Sequence, residues 1–434
     1  MTFEEAMTYL YNRLPVFHNI GHRAYKPGLE TTRAFCKYLG DPQDRYETIH
    51  VAGTNGKGSI SNMLAAVLQH SGYRTGLYTS PHLKSFTERI RVNGVPADED
   101  FVASFVSRHK AFIEKISPSF FEVTVAMAFN YFARLEVDIA VIEVGLGGRL
   151  DSTNIITPGL SVITNIGFDH MRQLGATLPL IAGEKAGIIK PGVPVVVSER
   201  QSDEITAVFE EAAKDKNAPL YFGSDYGSIS AESIENGMLK LEIQKLTKDR
   251  KSNNVSLLLD LAGSYQKKNL LGVLTAVDRL NGAGWKISSG SLEAGLASVT
   301  KTTGFKGRWT RLGEKPFVVA DTAHNLPGFT EALAQFMSVP AGRKHFVLGF
   351  VSDKDISAML RLLPQDADYY FCAPSNNRAL PAFSLLEQAE SMGLKGEAFP
   401  GVNEALARAI SNARPEDSVY VGGSTFVVAD LDVL

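Results

Sequence analysis

Short β-branched runs and longer stretches of helical spacing alternate along the chain from Glu47 onward. Thr48–Ala52, Thr75–Tyr78, Asp138–Val144, Leu160–Asn165 and Val193–Ser198 read as strands. Between them, Lys57–His70 carries Ile60, Met63, Leu64, Val67 and Leu68 at helical spacing, and Glu122–Leu135 repeats the pattern. Strand and helix in series predict βαβ units and a largely parallel sheet, which binds nucleotides at the carboxyl ends of its strands. From about Tyr221 to Leu261 the pattern changes. Leu239–Ile243 and Val255–Leu259 alternate with a period of two, predicting a small appended antiparallel sheet. Leu270–Leu280 and Leu292–Val299 are then helical, and the Gly- and Lys-rich stretch Lys301–Gly307 is a linker in this reading. The domains are accordingly expected at 1–299 and 300–434. In the second, Phe317–Asp321, His345–Phe350, Tyr369–Cys372 and Ser418–Val421 again alternate with helical segments, giving a smaller α/β domain.

A chain of 434 residues exceeds one hydrophobic core and agrees with two domains, or three if one is small. Hydrophobic residues at 44% and charged residues at 21% are those of a globular enzyme and exclude disordered and fibrous classes. The net charge of −3 leaves no whole-molecule footprint for nucleic acid or an anionic membrane, so any anion must be bound locally. Cys36 and Cys372 form neither a metal pair nor a redox motif, which points to a reducing compartment. The acidic start Met1-Thr2-Phe3-Glu4-Glu5-Ala6-Met7 lacks the basic and apolar regions of an export signal, and apolar runs end far short of the ~20 residues of a membrane helix. A soluble, cytoplasmic protein is expected, a monomer by default.

The strand Thr48–Ala52 runs into Gly53-Thr54-Asn55-Gly56-Lys57-Gly58-Ser59 and then a helix, the setting of a phosphate-binding loop. Glycines permit the tight backbone, N–H groups and the helix N-terminus face the polyphosphate, and Lys57 adds charge near the β and γ phosphates. The strict Walker spacing fails: Val51 stands where the first glycine belongs, and Gly58 separates Lys57 from the hydroxyl of Ser59. The alternative is a glycine-rich turn with no ligand. Glu143 closes an apolar run, which puts a carboxylate at the sheet's carboxyl edge, where Mg²⁺ finds hard oxygen ligands. His170, after another strand, reads equally as a structural residue or a ligand. Lys185 reads on spacing alone as a solvated lysine. Asn269 precedes an apolar helical stretch, where it would serve as N-cap. Ser424 reads as a strand-end turn residue, and Phe120 and Phe121 as core.

The shortened loop resembles that of the folylpolyglutamate and dihydrofolate synthases, a branch of the Mur ligase superfamily. The likeness continues through Tyr78-Thr79-Ser80-Pro81-His82-Leu83, Glu88-Arg89-Ile90 and Ile142–Asn154. It then runs on through Thr164–His170, Gly183–Ile188, Gly307-Arg308 and Asp321-Thr322-Ala323-His324-Asn325. The resemblance implies a P-loop ATPase domain with a mostly parallel sheet, followed by a Rossmann-like α/β glutamate-ligase domain. It implies ATP held by Thr54, Asn55, Gly56, Lys57, Gly58, Ser59, Asn269, Arg308 and Asp321. It implies Mg²⁺ held by Ser80, Glu143 and His170, and a second Mg²⁺ held with the help of a carbamylated Lys185. Burial would favour that modification by lowering the lysine pKa. Lys57, Lys185, Arg308 and His324 are the catalytic residues in this reading; Phe121 and Thr124 line the pterin site, with Phe120 beside them, and Ser424 lies near the incoming glutamate. Arg308 would cover the γ-phosphate as the cleft closes. Where this chain has Thr322 the family usually has glycine.

The implied reaction is attack of a folate or dihydropteroate carboxylate on the γ-phosphate of ATP, then displacement of the acyl phosphate by L-glutamate. A peptidoglycan Mur ligase carries a UDP-binding domain of ~100 residues before this loop. Here one helical segment and a loop are expected before Gly53, which leaves no room for it. A nucleotide sensor without ligase activity would have no use for Glu143, His170 and Lys185.

Overall fold

The computed structural model describes residues 1–15, 28–246, 253–352 and 355–434. These divide into two compact units. One takes the described residues up to Asp260 together with Gln266–Phe305; the other takes Leu261–Tyr265 and Lys306–Leu434. The first unit thus runs past position 299. Val299–Thr303 is a helix rather than linker, its buried Val299 and Thr303 packing it into the unit, and Gly304 in the left-handed region ends it.

The first unit is built on eight strands: β1 (Glu47–Ala52), β2 (Thr75–Tyr78), β3 (Ile90–Val92), β4 (Val95–Pro96), β5 (Ile139–Glu143), β6 (Leu160–Ile163), β7 (Val195–Val197) and β8 (Leu220–Phe222). Their order is β4-β3-β2-β5-β1-β6-β7-β8, parallel from β2 to β8, with β3 and β4 added antiparallel at one edge. The register sets Val51 beside Glu143, Ala52 beside Ile163 and Tyr78 beside Ile142. Four strands therefore deliver their following loops to one edge. β-branched and aliphatic residues fill these strands because both faces are covered.

Helix Lys57–His70 departs from the expected one-sided stripe. Every residue from Ser59 to Leu68 is buried, because the helix lies between the sheet and the helices Gln266–Gly282, Ser289–Leu296 and Val299–Thr303. Gly295 permits one of these approaches, since a Cβ there would come within 2.7 Å of Val67 Cα. Among the described residues, the helices Phe3–Arg13 and Glu30–Tyr38 stand before the sheet, where one helical segment was expected. The appended sheet is three-stranded and antiparallel: β9 (Gly227–Glu235), β10 (Met238–Lys245) and β11 (Asn253–Leu259), in the order β11-β10-β9. Its first strand escapes a hydrophobic-period search because most of its residues are exposed.

The second unit has six strands: β12 (Thr310–Glu314), β13 (Phe317–Ala320), β14 (Lys344–Leu348), β15 (Asp368–Cys372), β16 (Gly396–Phe399) and β17 (Ser418–Gly422). The order is β12-β13-β17-β14-β15-β16, parallel except for β12. Phe329, Phe336, Phe346, Phe371 and Tyr420 form its aromatic core.

His50 illustrates the tightness of the first sheet. Its Nε2 donates to Thr153 Oγ1 at 2.8 Å, that hydroxyl donates to Asp151 Oδ1 at 2.5 Å, and His50 Nδ1 is buried without a hydrogen-bond partner among the described residues. Burial, aided by the charge of Lys190, pushes the His50 pKa down from 6.5 to about 3. Between these values the unfolded chain binds a proton that the folded chain refuses, so stability falls as pH drops below 6.5. At a pH of about 4.5 this amounts to roughly 2–3 kcal/mol. His50→Gln keeps a donor for Thr153 but does not titrate. Its thermal melts should lose less between pH 7.5 and 4.5 than those of the parent, and an equal loss would exclude His50 as the cause.

Candidate active site

The carboxyl edge of the first sheet gathers the phosphate loop and the segments that shape it. Gly53 (φ +147°) and Gly56 (φ +87°) have backbones suited to glycine. They are also positions where nothing larger fits: a Cβ on Gly53 would lie 1.7 Å from Thr164 Oγ1, and one on Gly56 2.3 Å from Asn269 Oδ1. The loop is pinned from behind by the segment after β6. Thr54 N donates to Asn165 O at 2.8 Å, Asn55 N to Asn165 Oδ1 at 2.9 Å, and Thr164 Oγ1 to Asn55 O at 2.5 Å. Thr54 Oγ1 bonds Gly167 through both its carbonyl and its N–H. The amides of Thr54 and Asn55 thus serve the scaffold. The helix that follows is capped by Gly56 with no side-chain bond, so its first-turn N–H groups are the donors suited to a phosphate.

Two lysines share one carbonyl. Lys57 Nζ donates to Gly53 O at 3.1 Å and Thr54 O at 3.2 Å, while Lys185 Nζ donates to the same Gly53 O at 2.8 Å. Lys185 is 3% exposed, and burial, reinforced by the charge of Lys57, lowers its pKa from 10.5 to about 7 against the opposing pull of Asp169 and Asp151. It is not a solvated lysine. The helix Leu178–Ala186 carries it inward on its last turn.

Glu143, 4% exposed, ends β5. Its Oε2 accepts from Ser80 N at 3.1 Å, and its Oε1 stands 3.8 Å from where a Cβ on Gly58 would be. A buried carboxylate held by the backbone of Ser80, next to the phosphate loop, is a hard-oxygen donor and fits Mg²⁺. His170 takes the left-handed conformation (φ 50°) before the short helix Met171–Leu174, with its Nε2 3.9 Å from Asp169 Oδ2. No three His, Cys, Asp or Glu side chains cluster as a metal set among the described residues.

Phe121 is half-buried and packs against Gly145, where a Cβ would meet its ring at 2.4 Å. The loop it touches is held by Asp151, which accepts from Leu146 N and Thr153 N. Thr124 is fully buried and its hydroxyl donates to Phe120 O at 2.8 Å. Phe120 is core, stacked on Tyr11 with ring centroids 5.1 Å apart. Asn269 lies within the helix Gln266–Gly282 and is not its N-cap. Its Nδ2 donates to Gln266 Oε1 at 2.8 Å, and Gln266 Nε2 donates to Ser59 Oγ at 3.0 Å, which links the loop's hydroxyl to the residue facing Gly56.

In the second unit, Asp321 follows β13 and is 2% exposed. It accepts from Tyr265 Oη at 2.5 Å, Trp309 N at 2.8 Å and Ala323 N at 2.8 Å. Thr322 causes no strain: its N–H and hydroxyl both donate to Gly307 O at 3.0 Å, a side-chain bond that glycine lacks. Arg308 Nη1 donates to the same carbonyl at 3.1 Å. His324 Nδ1 donates to Thr322 O at 3.0 Å, which places the proton of the neutral ring on Nδ1. Ser424 Oγ caps the helix Thr425–Ala429 by accepting from Phe426 N and Val427 N.

Residues 51–277 match the Mur ligase middle domain, and residues 307–425 match the Mur ligase glutamate ligase domain. The dihydrofolate synthase/folylpolyglutamate synthase of Bacillus subtilis is 32% identical over 444 residues, covering 99% of this chain and 98% of that one. The chain belongs to the folylpolyglutamate synthase/dihydrofolate synthase family. It is an ATP-dependent ligase of the Mur superfamily. Solved structures agree: the Mycobacterium tuberculosis folylpolyglutamate synthase complexed with ADP and AMPPCP gives a TM-score of 0.86 at 30% identity, covering 99% of this chain and 97% of that one. Escherichia coli FolC in complex with DHPP and ADP gives 0.83 at 30% identity, over 99% and 96% of the two chains. Within this family frame, sequence reasoning placed Thr164 and Asn165 in a family block without giving them a role, and gave none to Gln266 and Tyr265. The first two follow a strand that ends beside β1, and that adjacency was the available signal; the other two act through neighbours distant in sequence.

Proposed function

We propose that this synthase joins L-glutamate to tetrahydrofolate and its shorter polyglutamates, and also to dihydropteroate, through an acyl phosphate. A carboxylate oxygen of the folate attacks the γ-phosphorus of ATP, forming an O–P bond as ADP departs; the glutamate amine then attacks the acyl carbon, forming the C–N bond as phosphate leaves and the amine gives up a proton. The observation that carries the reading is the shared Gly53 carbonyl, which brings Lys57 and the buried Lys185 to one phosphate loop. The complex of FolC with DHPP and ADP supports the substrate class.

In this proposal the first-turn N–H groups of helix Lys57–His70 bind the phosphates, and Lys57 neutralises the transferring phosphoryl group. Asn269 and Asp321 contact the nucleotide, Arg308 draws charge from the γ-phosphate, and His324 takes the amine proton. Ser80, Glu143 and His170 hold Mg²⁺, and Lys185, carbamylated on its neutral amine, helps hold a second Mg²⁺; bound there, the ions would offset phosphate charge. The modification would also replace the Lys57–Lys185 repulsion with an attraction. Phe121 flanks the pterin, and Ser424 lies in the segment near glutamate. The enzyme is proposed to act as a cytoplasmic monomer on small molecules, without nucleic acid or membrane. Among the described residues no helix is long and apolar enough to cross a membrane.

The test follows ADP release with ATP alone and with folate plus L-glutamate. Release that ignores both substrates would sink the ligase reading. Labelled glutamate supplied with dihydropteroate or tetrahydrofolate separately then divides the two activities, and no label on dihydropteroate would leave polyglutamylation alone.

A further inference from the structure

We propose that Tyr265 is a positioning residue for the ligation step: its phenol holds the Asp321 carboxylate, and through it the backbone that aims Arg308. The inference rests on the role given to Arg308 above.

Tyr265 ends the segment Leu261–Tyr265, which packs with the second unit. The segment is anchored there by Ser264 N donating to Gln335 Oε1 at 2.7 Å and Gln335 Nε2 donating to Ala262 O at 2.9 Å. From this fixed base the Tyr265 hydroxyl reaches Asp321 Oδ2 at 2.5 Å, and the same oxygen accepts Trp309 N at 2.8 Å. The other carboxylate oxygen accepts Ala323 N at 2.8 Å. One buried carboxylate thus ties three stretches distant in sequence.

What it ties is the corner carrying Arg308. Trp309 has φ +52°, a left-handed conformation that is an outlier for a bulky residue and persists only where surrounding bonds impose it. On the other side of Arg308, Gly307 O accepts from Thr322 N and Thr322 Oγ1. Both neighbours of Arg308 are therefore bonded to Asp321 or the residue after it. Burial and the facing carboxylate push the Tyr265 hydroxyl well above its usual pKa, so it stays protonated and donates. Without the phenol, Asp321 Oδ2 keeps a single backbone donor, and the strained Trp309 loses the orientation of its partner. A displaced guanidinium lowers the rate of the chemical step more than it weakens ground-state binding.

Four proteins carry the kinetic test: Tyr265→Phe, Arg308→Ala, the double variant, and Tyr265→His, which returns a ring N–H donor. Tyr265→Phe should lower kcat about tenfold or more while KM for tetrahydrofolate and glutamate stays within about twofold. It should add no further loss to Arg308→Ala, and Tyr265→His should recover part of the rate. The chain has two tryptophans, so Trp285→Phe leaves Trp309 as the only reporter, and Tyr265→Phe should shift its emission. An unchanged kcat in Tyr265→Phe, or an unmoved Trp309 emission, overturns the proposal. A slow Arg308→Ala to which Tyr265→Phe adds its full loss removes the Tyr265 inference and leaves the role of Arg308 standing. Full rate in Arg308→Ala alone removes the reading beneath it.

Discussion

Lys57→Ala is expected to lower kcat for glutamate ligation by about two to three orders of magnitude while leaving the melting temperature nearly unchanged. The ammonium rests on two loop carbonyls, Gly53 O and Thr54 O, and not on a carboxylate, so its removal breaks no ion pair on which the fold depends. What is lost is a point charge at the mouth of a loop whose other donors are neutral N–H groups. Ligation rate and thermal melts measured on the same preparation decide the matter. A variant within a few-fold of the parent rate would show that the helix N-terminus and Arg308 suffice. The substitution also removes a like charge from beside Lys185, so the Lys185 pKa should rise in Lys57→Ala.

Lys185→Met should move activity and stability in opposite directions. Below pH 7 both folded and unfolded chains hold the lysine proton, and the folded state bears the full penalty of a buried charge. Between about 7 and 10.5 the unfolded chain binds a proton that the folded chain has released, so the contribution of Lys185 to stability improves as pH rises through that window. The penalty is roughly 3–5 kcal/mol at pH 7 and below. Methionine removes it, and the Gly53 carbonyl keeps its bond from Lys57. Melts of CO₂-depleted protein at pH 6.5, where Lys185 is unmodified, should therefore rise in Lys185→Met, whereas ligation falls by about a hundredfold or more, because no carbamate can form. In the parent, depletion of CO₂ should slow the reaction and bicarbonate should restore it, with the mass of CO₂ gained on Lys185. A rate indifferent to CO₂ would exclude the carbamate.

Much of this was legible in the chain. The parallel sheet follows from β-branched runs separated by helical stripes, and the loop Gly53–Ser59 from glycines flanking a lysine between strand and helix. Helix Lys57–His70 and strand Thr75–Tyr78 fall at their expected limits, since a glycine-rich turn and a Ser-Gly pair mark their ends. The likeness of the blocks around Ser80, Glu143, Lys185 and Asp321 led to the family that the Bacillus subtilis relative establishes, within the superfamily of the domain matches. Environment was less accessible. Lys185 reads as solvated because spacing counts neighbours along its own helix, while the Gly53 carbonyl that receives it is far away in sequence. The bond of the Thr124 hydroxyl to the carbonyl one turn back is likewise set by the closed surroundings of its helix, which spacing does not reveal.

The sequence by itself determined most elements of the parallel sheet, the glycine- and lysine-bearing loop Gly53–Ser59 between strand and helix, and the likeness of the surrounding blocks to a glutamate-ligase family, because such signals depend on residues close along the chain. Only the tertiary structure decided that Lys57 and Lys185 share a carbonyl, that Ser59 is linked through Gln266 to Asn269, and that Asp321 joins Tyr265 to Trp309. Burial and hydrogen bonding set the charge state and aim of a side chain. Both are made by residues that meet only when the strands pair.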